Sequence, residues 1–120
     1  MEFITGLFHY FIKDIPMFTA AAGLTIRLTA AALAIGVFIG LFLALIKLSK
    51  NVIFNGIANL YITVIRGTPL IVQIFAIYFG LARYVDFGVF WSAAIALAVH
   101  NGAYIAEIFR AGIQSIDRGQ

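Results

Sequence analysis

Leu28 to Ile46 reads LTAAALAIGVFIGLFLALI, nineteen residues without a charge held between Arg27 and Lys47. As a helix rising 1.5 Å per residue this stretch covers about 28 Å, close to the ~30 Å thickness of the hydrocarbon layer of a bilayer. An ion at the bilayer centre costs roughly 2.5 to 3.5 kcal/mol, so the two flanking cations mark the edges of a span. The same ruler finds two more. Sixteen uncharged residues separate Arg66 from Arg83, whose long stems can carry their guanidinium groups to opposite interfaces. Twenty separate Asp86 from Glu107, and Phe90 and Trp91 near their start suit the headgroup level where aromatic rings gather. The expected fold is an all-α polytopic integral membrane protein, a single transmembrane domain with spans over 19–48, 53–84 and 88–110.

Composition closes off other classes. With 63% apolar and 11% charged residues in a chain of 120, a soluble domain could not hide its greasy side chains, because too much of its surface stays in water. A soluble enzyme is therefore excluded. The net charge of +3 comes from eight dispersed Lys and Arg, with no cluster of the kind that follows a phosphate backbone, so no nucleic-acid partner is expected. Cysteine is absent and the two histidines, His9 and His100, lie far apart, which removes thiol chemistry and His-pair metal motifs. No GxxxxGK[ST] occurs, so the chain has no cradle for a nucleoside triphosphate and is expected to hold no cofactor of its own.

The first sixteen residues follow a different pattern. Thr5, His9 and Lys13 recur every fourth position with Phe3, Leu7, Phe8, Phe11 and Ile12 on the other side, which predicts an amphipathic helix lying in the interface over 1–16. Pro16 is expected to end it, since proline lacks a backbone donor. Glu2 stands where a secretory signal would be basic, and no small-x-small site precedes the first span, so the N-terminus is expected to be retained. The turn-like junctions Ser49–Asn55 and Tyr84–Gly88 are short and predict antiparallel neighbours. Lys47, Lys50, Arg66, Arg110 and Arg118 fall on one side against Lys13, Arg27 and Arg83 on the other. That excess predicts the N-terminus outside and the C-terminus in the cytoplasm.

Two strips of small residues stand out. Ala32, Gly36, Gly40 and Ala44 repeat every fourth position in the first span, and Ala94, Ala98, Gly102 and Ala106 do so in the third. In lipid the hydrophobic effect barely favours helix association, so close van der Waals contact must supply it, and small residues permit that contact. On the third span, 100° per residue puts His100 and Glu107 on one face, roughly opposite the small strip, with Asn101 and Tyr104 beside them. This polar stripe either lines an aqueous path or meets another polar helix. Glu107 and Arg110, three residues apart, fit an interfacial ion pair as well as a ligand contact.

Tyr61 to Gln73 reads YITVIRGTPLIVQ. Pro69 removes a donor and crowds the carbonyl four residues back, and Gly67 loosens the same turn, so the second helix should bend or restart there. Gly67, Thr68 and Pro69 are the candidate hinge. Arg66 sits at the bend, and Gln73, seven residues on, is expected on the same face. The segment is either a helix start with an interfacial arginine or a polar gate, since carbonyls freed at a proline need protein or water to satisfy them.

YITVIRGTPLIVQIFAIYFGL together with NGAYIAEIFRAGIQSIDRGQ closely resembles the membrane-spanning permease subunits of polar amino acid ABC importers, the histidine, glutamine and arginine uptake systems. The similarity extends from about Thr19 to Gln120. It implies a subunit of the bacterial inner membrane that pairs with a like or identical permease, receives a polar amino acid from a periplasmic or lipid-anchored binding protein, and is driven by a cytoplasmic ATP-binding subunit that carries ATP-Mg. In that family the chain continues into a cytoplasmic loop with the EAA signature and further spans. The sequence therefore resembles an N-terminal portion with three of five expected spans, and 111–120, with Arg110, Gly112, Gly119 and Gln120, becomes the approach to the ATPase-coupling loop.

The resulting expectation is a permease subunit without covalent chemistry of its own. Arg66 and Glu107 are the charged candidates for the substrate's carboxylate and ammonium groups, and Gln73, His100 and Asn101 the uncharged ones. Gly36, Gly40, Ala98 and Gly102 are the packing residues. Two rival readings are a helical membrane scaffold that moves no solute and a proton-coupled carrier using His100 and Glu107.

Overall fold

The computed structural model describes residues 2–116. All four of its regular elements are helices: α1 (Glu2–Lys47), α2 (Val52–Gly67), α3 (Leu70–Ala82) and α4 (Gly88–Ser115). Among the described residues, α1 and α4 are long and apolar enough to cross a membrane, and α2 with α3 makes a third span if the pair is taken as one bent by 107°. Large apolar side chains cover the outside, Phe38 at 76% exposure for example, as an exterior facing lipid tails requires.

The interior is built from small residues. Ala32, Ala44, Ala58, Ala94, Ala96, Ala98, Ala103 and Ala106 are buried together with Ile62, and no large described side chain is fully enclosed. Gly36, Gly40 and Gly102 are buried as well. The broadest contact joins α1 to α4, and the two small strips face each other across it. A Cβ on Gly40 would lie 2.5 Å from Ile105 Cγ2 and 3.1 Å from the Ala106 backbone nitrogen, and one on Gly102 would lie 2.6 Å from Ile39 Cγ2. A Cβ on Gly36 would lie 3.4 Å from the Ala98 carbonyl oxygen. The helices thus approach backbone to backbone, where many weak dispersion contacts act together.

Local chemistry sets the element ends. Asn51 caps α2, its Oδ1 accepting from the Ile53 and Phe54 amides at 2.9 and 3.4 Å. Before α4 the Asp86 carboxylate accepts from the Gly88 amide at 2.9 Å, and Gly88 takes φ +70°, a conformation that side-chain-bearing residues rarely adopt. Between α2 and α3, Thr68 is extended (φ −109°, ψ 140°) as a residue before proline tends to be. Pro69 then precedes α3 as its N-cap, where its missing donor is not needed.

Several expected boundaries are corrected. Pro16 does not separate an interfacial helix over 1–16 from a span over 19–48; α1 runs through it without interruption. Apolar helix formers continue on both sides, the Thr19 hydroxyl donates to the Pro16 carbonyl at 2.9 Å, and helices of this kind tolerate proline where neighbouring groups re-satisfy the backbone. The helix of the third span runs past 110 to Ser115, so the expected approach over 111–120 begins within α4, with Gly112 helical. The bend expected within the 53–84 span is present, as a sharp corner between α2 and α3. Consecutive helices do meet, α1 with α2 and α3 with α4, but the broadest contact joins the first and last.

Candidate functional site

The last turn of α1, one flank of α2 and the face of α4 turned away from the small-residue seam surround an open cleft of about 490 Å³. Lys47, Asn59, Ile62, Thr63, Arg66, Gly67, Tyr104 and Glu107 line it. Ile62 forms the floor, packed with Ala103 and Ala106 of α4. The Tyr61 hydroxyl holds α2 to α4 by donating to the Val99 carbonyl at 2.8 Å.

Charges within the cleft are unequally matched. Glu107 is held from two sides, by Lys47 Nζ on Oε1 and by Arg110 Nε on Oε2 at 3.0 Å. Arg110 also donates to the Gln114 side chain. Arg66 has no carboxylate partner among the described residues; its guanidinium carbon stands 5.1 Å from the Tyr104 ring centroid, a cation–π contact that leaves its N–H donors available. Two cations and one carboxylate therefore line the cleft, with Arg110 adding a further positive charge at its edge.

A second polar cluster lies at the α2–α3 corner. Gln73, 7% exposed, donates through Nε2 to the Ile65 carbonyl and the Thr68 hydroxyl, each at 2.8 Å, with the Thr68 carbonyl at 3.2 Å sharing one of its two hydrogens. Thr68 Oγ1 in turn donates to the Val64 carbonyl at 3.0 Å. These bonds satisfy carbonyls that the break at Pro69 would otherwise leave bare in a lipid-facing protein. Gln73 Oε1 faces His100 Nδ1 at 3.2 Å; an amide oxygen only accepts, so Nδ1 is the donor in this contact. The His100 ring is 5.1 Å from Tyr104, which places Tyr104 between the corner cluster and Arg66.

The candidate residues consequently fall into separate groups. Arg66 and Glu107 share the cleft, whereas Gln73 and His100 pair at the corner. The expectation that Gln73 shares the face of Arg66 is corrected, because the arithmetic of an unbroken helix does not survive a 107° bend. Asn101 is half-buried on the α1 side, 3.5 Å from where a Cβ on Gly36 would stand. Gly67, Thr68 and Pro69 form the corner, and Gly36, Gly40, Ala98 and Gly102 the seam. Within α4, the Gly112 carbonyl accepts from the Ser115 hydroxyl at 2.8 Å. Gly119 and Gln120 lie outside the described residues. Sequence reasoning treated Lys47 only as a membrane-edge marker and passed over Asn55, Asn59 and Tyr61. The four-residue spacing of Asn51, Asn55 and Asn59 was the available signal for a polar flank on α2.

Residues 36–120 match the family described as binding-protein-dependent transport system inner membrane component. The arginine transport system permease protein ArtQ of Bacillus subtilis (strain 168) is 40% identical over 111 residues, covering 91% of this chain and 51% of that protein. A putative glutamine transport system permease protein GlnP of Rickettsia conorii is 39% identical over 119 residues, 95% of this chain and 55% of its own length. A solved structure of an amino acid ABC transporter with histidines superposes with a TM-score of 0.83 at 45% identity, covering 90% of this chain and 51% of that one. The chain spans about half the length of the relatives it matches. Its lipid-compatible exterior, its bent middle span and a match over most of its length agree: the chain belongs to the family of inner-membrane components of binding-protein-dependent transport systems.

Proposed function

We propose that the chain forms part of the translocation pathway for a polar amino acid in an ATP-driven importer of the bacterial inner membrane, with the N-terminus outside and the C-terminus in the cytoplasm. The observation that carries this is Arg66 in the open cleft: a guanidinium held by an aromatic face, with no carboxylate bound to it among the described residues. Such a group meets the carboxylate common to all amino acids. Glu107 acts on the pathway through Lys47 and Arg110, which it ties into one wall. The gathering of Lys47, Arg66 and Arg110 around one end of the bundle supports the orientation. Relatives named for arginine and glutamine transport and a related structure of an amino acid transporter with histidines support the substrate class.

The partners in this reading are a second permease subunit, a cytoplasmic ATP-binding subunit that carries ATP-Mg, and a periplasmic or lipid-anchored binding protein. Motion rather than bond chemistry does the work: ATP binding on the partner shifts the relative populations of two helix arrangements, and the Gly67–Pro69 corner is where the bent span turns. A proton relay has less support, since His100 bonds to the Gln73 amide and Glu107 to two cations. Uptake into vesicles tests the reading. Arg66→Ala should lower ATP-dependent uptake by about tenfold or more, and Arg66→Lys should restore only part of it, because a planar fork is replaced by a point charge. Uptake unchanged in Arg66→Ala, or driven by a proton gradient without ATP, refutes it.

A further inference from the structure

A polar device that the transport reading leaves unused leads into the cleft, a ladder of amides at the start of α2 of which Asn59 lines the cleft. Asn51, Asn55 and Asn59 recur every fourth residue, followed by Thr63. At about 100° per residue, Asn55, Arg66, Asn59 and Thr63 share a sector roughly 80° wide beside buried Ala58 and Ile62. Two bonds link the ladder. Asn55 Nδ2 donates to the Lys47 backbone carbonyl, and Asn59 Nδ2 donates to Asn55 Oδ1 at 2.6 Å.

The direction of this ladder is forced. A backbone carbonyl can only accept, so Asn55 must turn its NH₂ toward Lys47 and has only its oxygen to offer Asn59. Asn59 must answer with its own NH₂. Turning either amide over would set donor against donor or acceptor against acceptor. What remains free at the end of the ladder, on a residue lining the cleft, is the carbonyl oxygen of Asn59, which accepts from no described group. Finishing the last turn of α1 needs Asn55 alone, so that structural duty does not account for Asn59.

We propose that Asn59 is a specificity-determining residue: an acceptor locked in orientation by the Lys47 carbonyl and Asn55, presented to an N–H group of the transported molecule. This rests on the reading of the cleft as part of a transport pathway. Asn59 and Arg66 are seven residues apart, about 10.5 Å along the helix axis, and the long Arg66 stem shortens the gap between their polar ends. An amino acid can bridge them with its carboxylate at Arg66 and a nitrogen-bearing side chain toward Asn59. A side chain ending in a carboxylate would set oxygen against oxygen there, and sites that leave a polar group unpaired reject such ligands strongly.

The test uses the gene product in its assembled complex, purified without any soluble binding protein and titrated calorimetrically with glutamine, arginine and glutamate. Glutamine and arginine should bind about tenfold or more tighter than glutamate, and Asn59→Leu should reduce that ratio to about threefold or less. Asn55→Leu, which frees the Asn59 amide to turn over, should also reduce it. Asn59→Asp, nearly the same shape and the variant that decides the matter if Asn59→Leu does not assemble, should raise arginine over glutamine by about tenfold. Unchanged ratios in the Asn59 variants overturn the assignment, as does a parent complex that binds none of the three. ATP-dependent uptake with a binding protein is read separately: intact uptake with unaltered ratios removes only the role of Asn59, whereas no uptake by the parent removes the transport reading and this assignment with it.

Discussion

Helix α4 meets its neighbours in two different ways. Toward α1 it presents Ala98, Gly102 and Ala106, and the two backbones come so near that a single added methyl would collide with the other helix at Gly40. Toward α2 the same helix presents Tyr104 and Glu107, and the two stand apart around a cleft of about 490 Å³. One side is held along its length by dispersion between small groups, the other by Ile62 packed on Ala103 and Ala106 and by the Tyr61–Val99 bond, beside open space. The first has little room to move without losing its contacts; the second can rearrange by exchanging hydrogen bonds. In the proposed pathway the seam would serve as the fixed strut and the cleft as the side that opens.

The contrast can be broken most severely at the seam. Gly40→Leu should force α1 from α4 and lower stability by about 3 kcal/mol, read as a fall in the unfolding midpoint in mixed micelles and as loss of a cysteine cross-link engineered across the seam. Gln73→Leu strikes the corner. It leaves the Ile65 and Thr68 carbonyls without that donor and should cost about 2 kcal/mol, with faster amide exchange confined to 64–73. Glu107→Gln should cost about 1 kcal/mol, because its ion pairs are partly solvated; the added sign is a midpoint that responds less to salt than the parent's. Gly36→Ala is the smallest. A Cβ there would sit 3.4 Å from its nearest neighbour, an ordinary contact, so stability should stay within about 0.5 kcal/mol of the parent. A result in which Gly36→Ala and Gly40→Leu are equally damaging would mean the seam is not packed as described.

Much of the seam was legible in advance, because a four-residue repeat of Ala and Gly is local information and survives folding unchanged. The corner was legible for the same reason, since Gly67 and Pro69 alter the backbone wherever they stand. Pro16 misled because a proline carries a fixed local penalty while its surroundings decide whether a helix can absorb it. Arg66 and Gln73 were assigned to one face by arithmetic that the break between them invalidates. Lys47 was the hardest to anticipate: its partner Glu107 is sixty residues away, and no periodicity connects two helices that meet only in the folded chain. Asn59 was local and could have been found, but its meaning depends on the Lys47 carbonyl, which only the turn between α1 and α2 brings within reach.

The bonds that close the corner have a consequence for how the protein folds. Gln73 reaches Ile65 and Thr68, and Thr68 reaches Val64, so each of these bonds spans eight residues or fewer. Being local in sequence, they can form before α4 has packed against this stretch. The corner can therefore cover its Val64, Ile65 and Thr68 carbonyls from within its own stretch, and only the meeting of Gln73 with His100 needs the last helix.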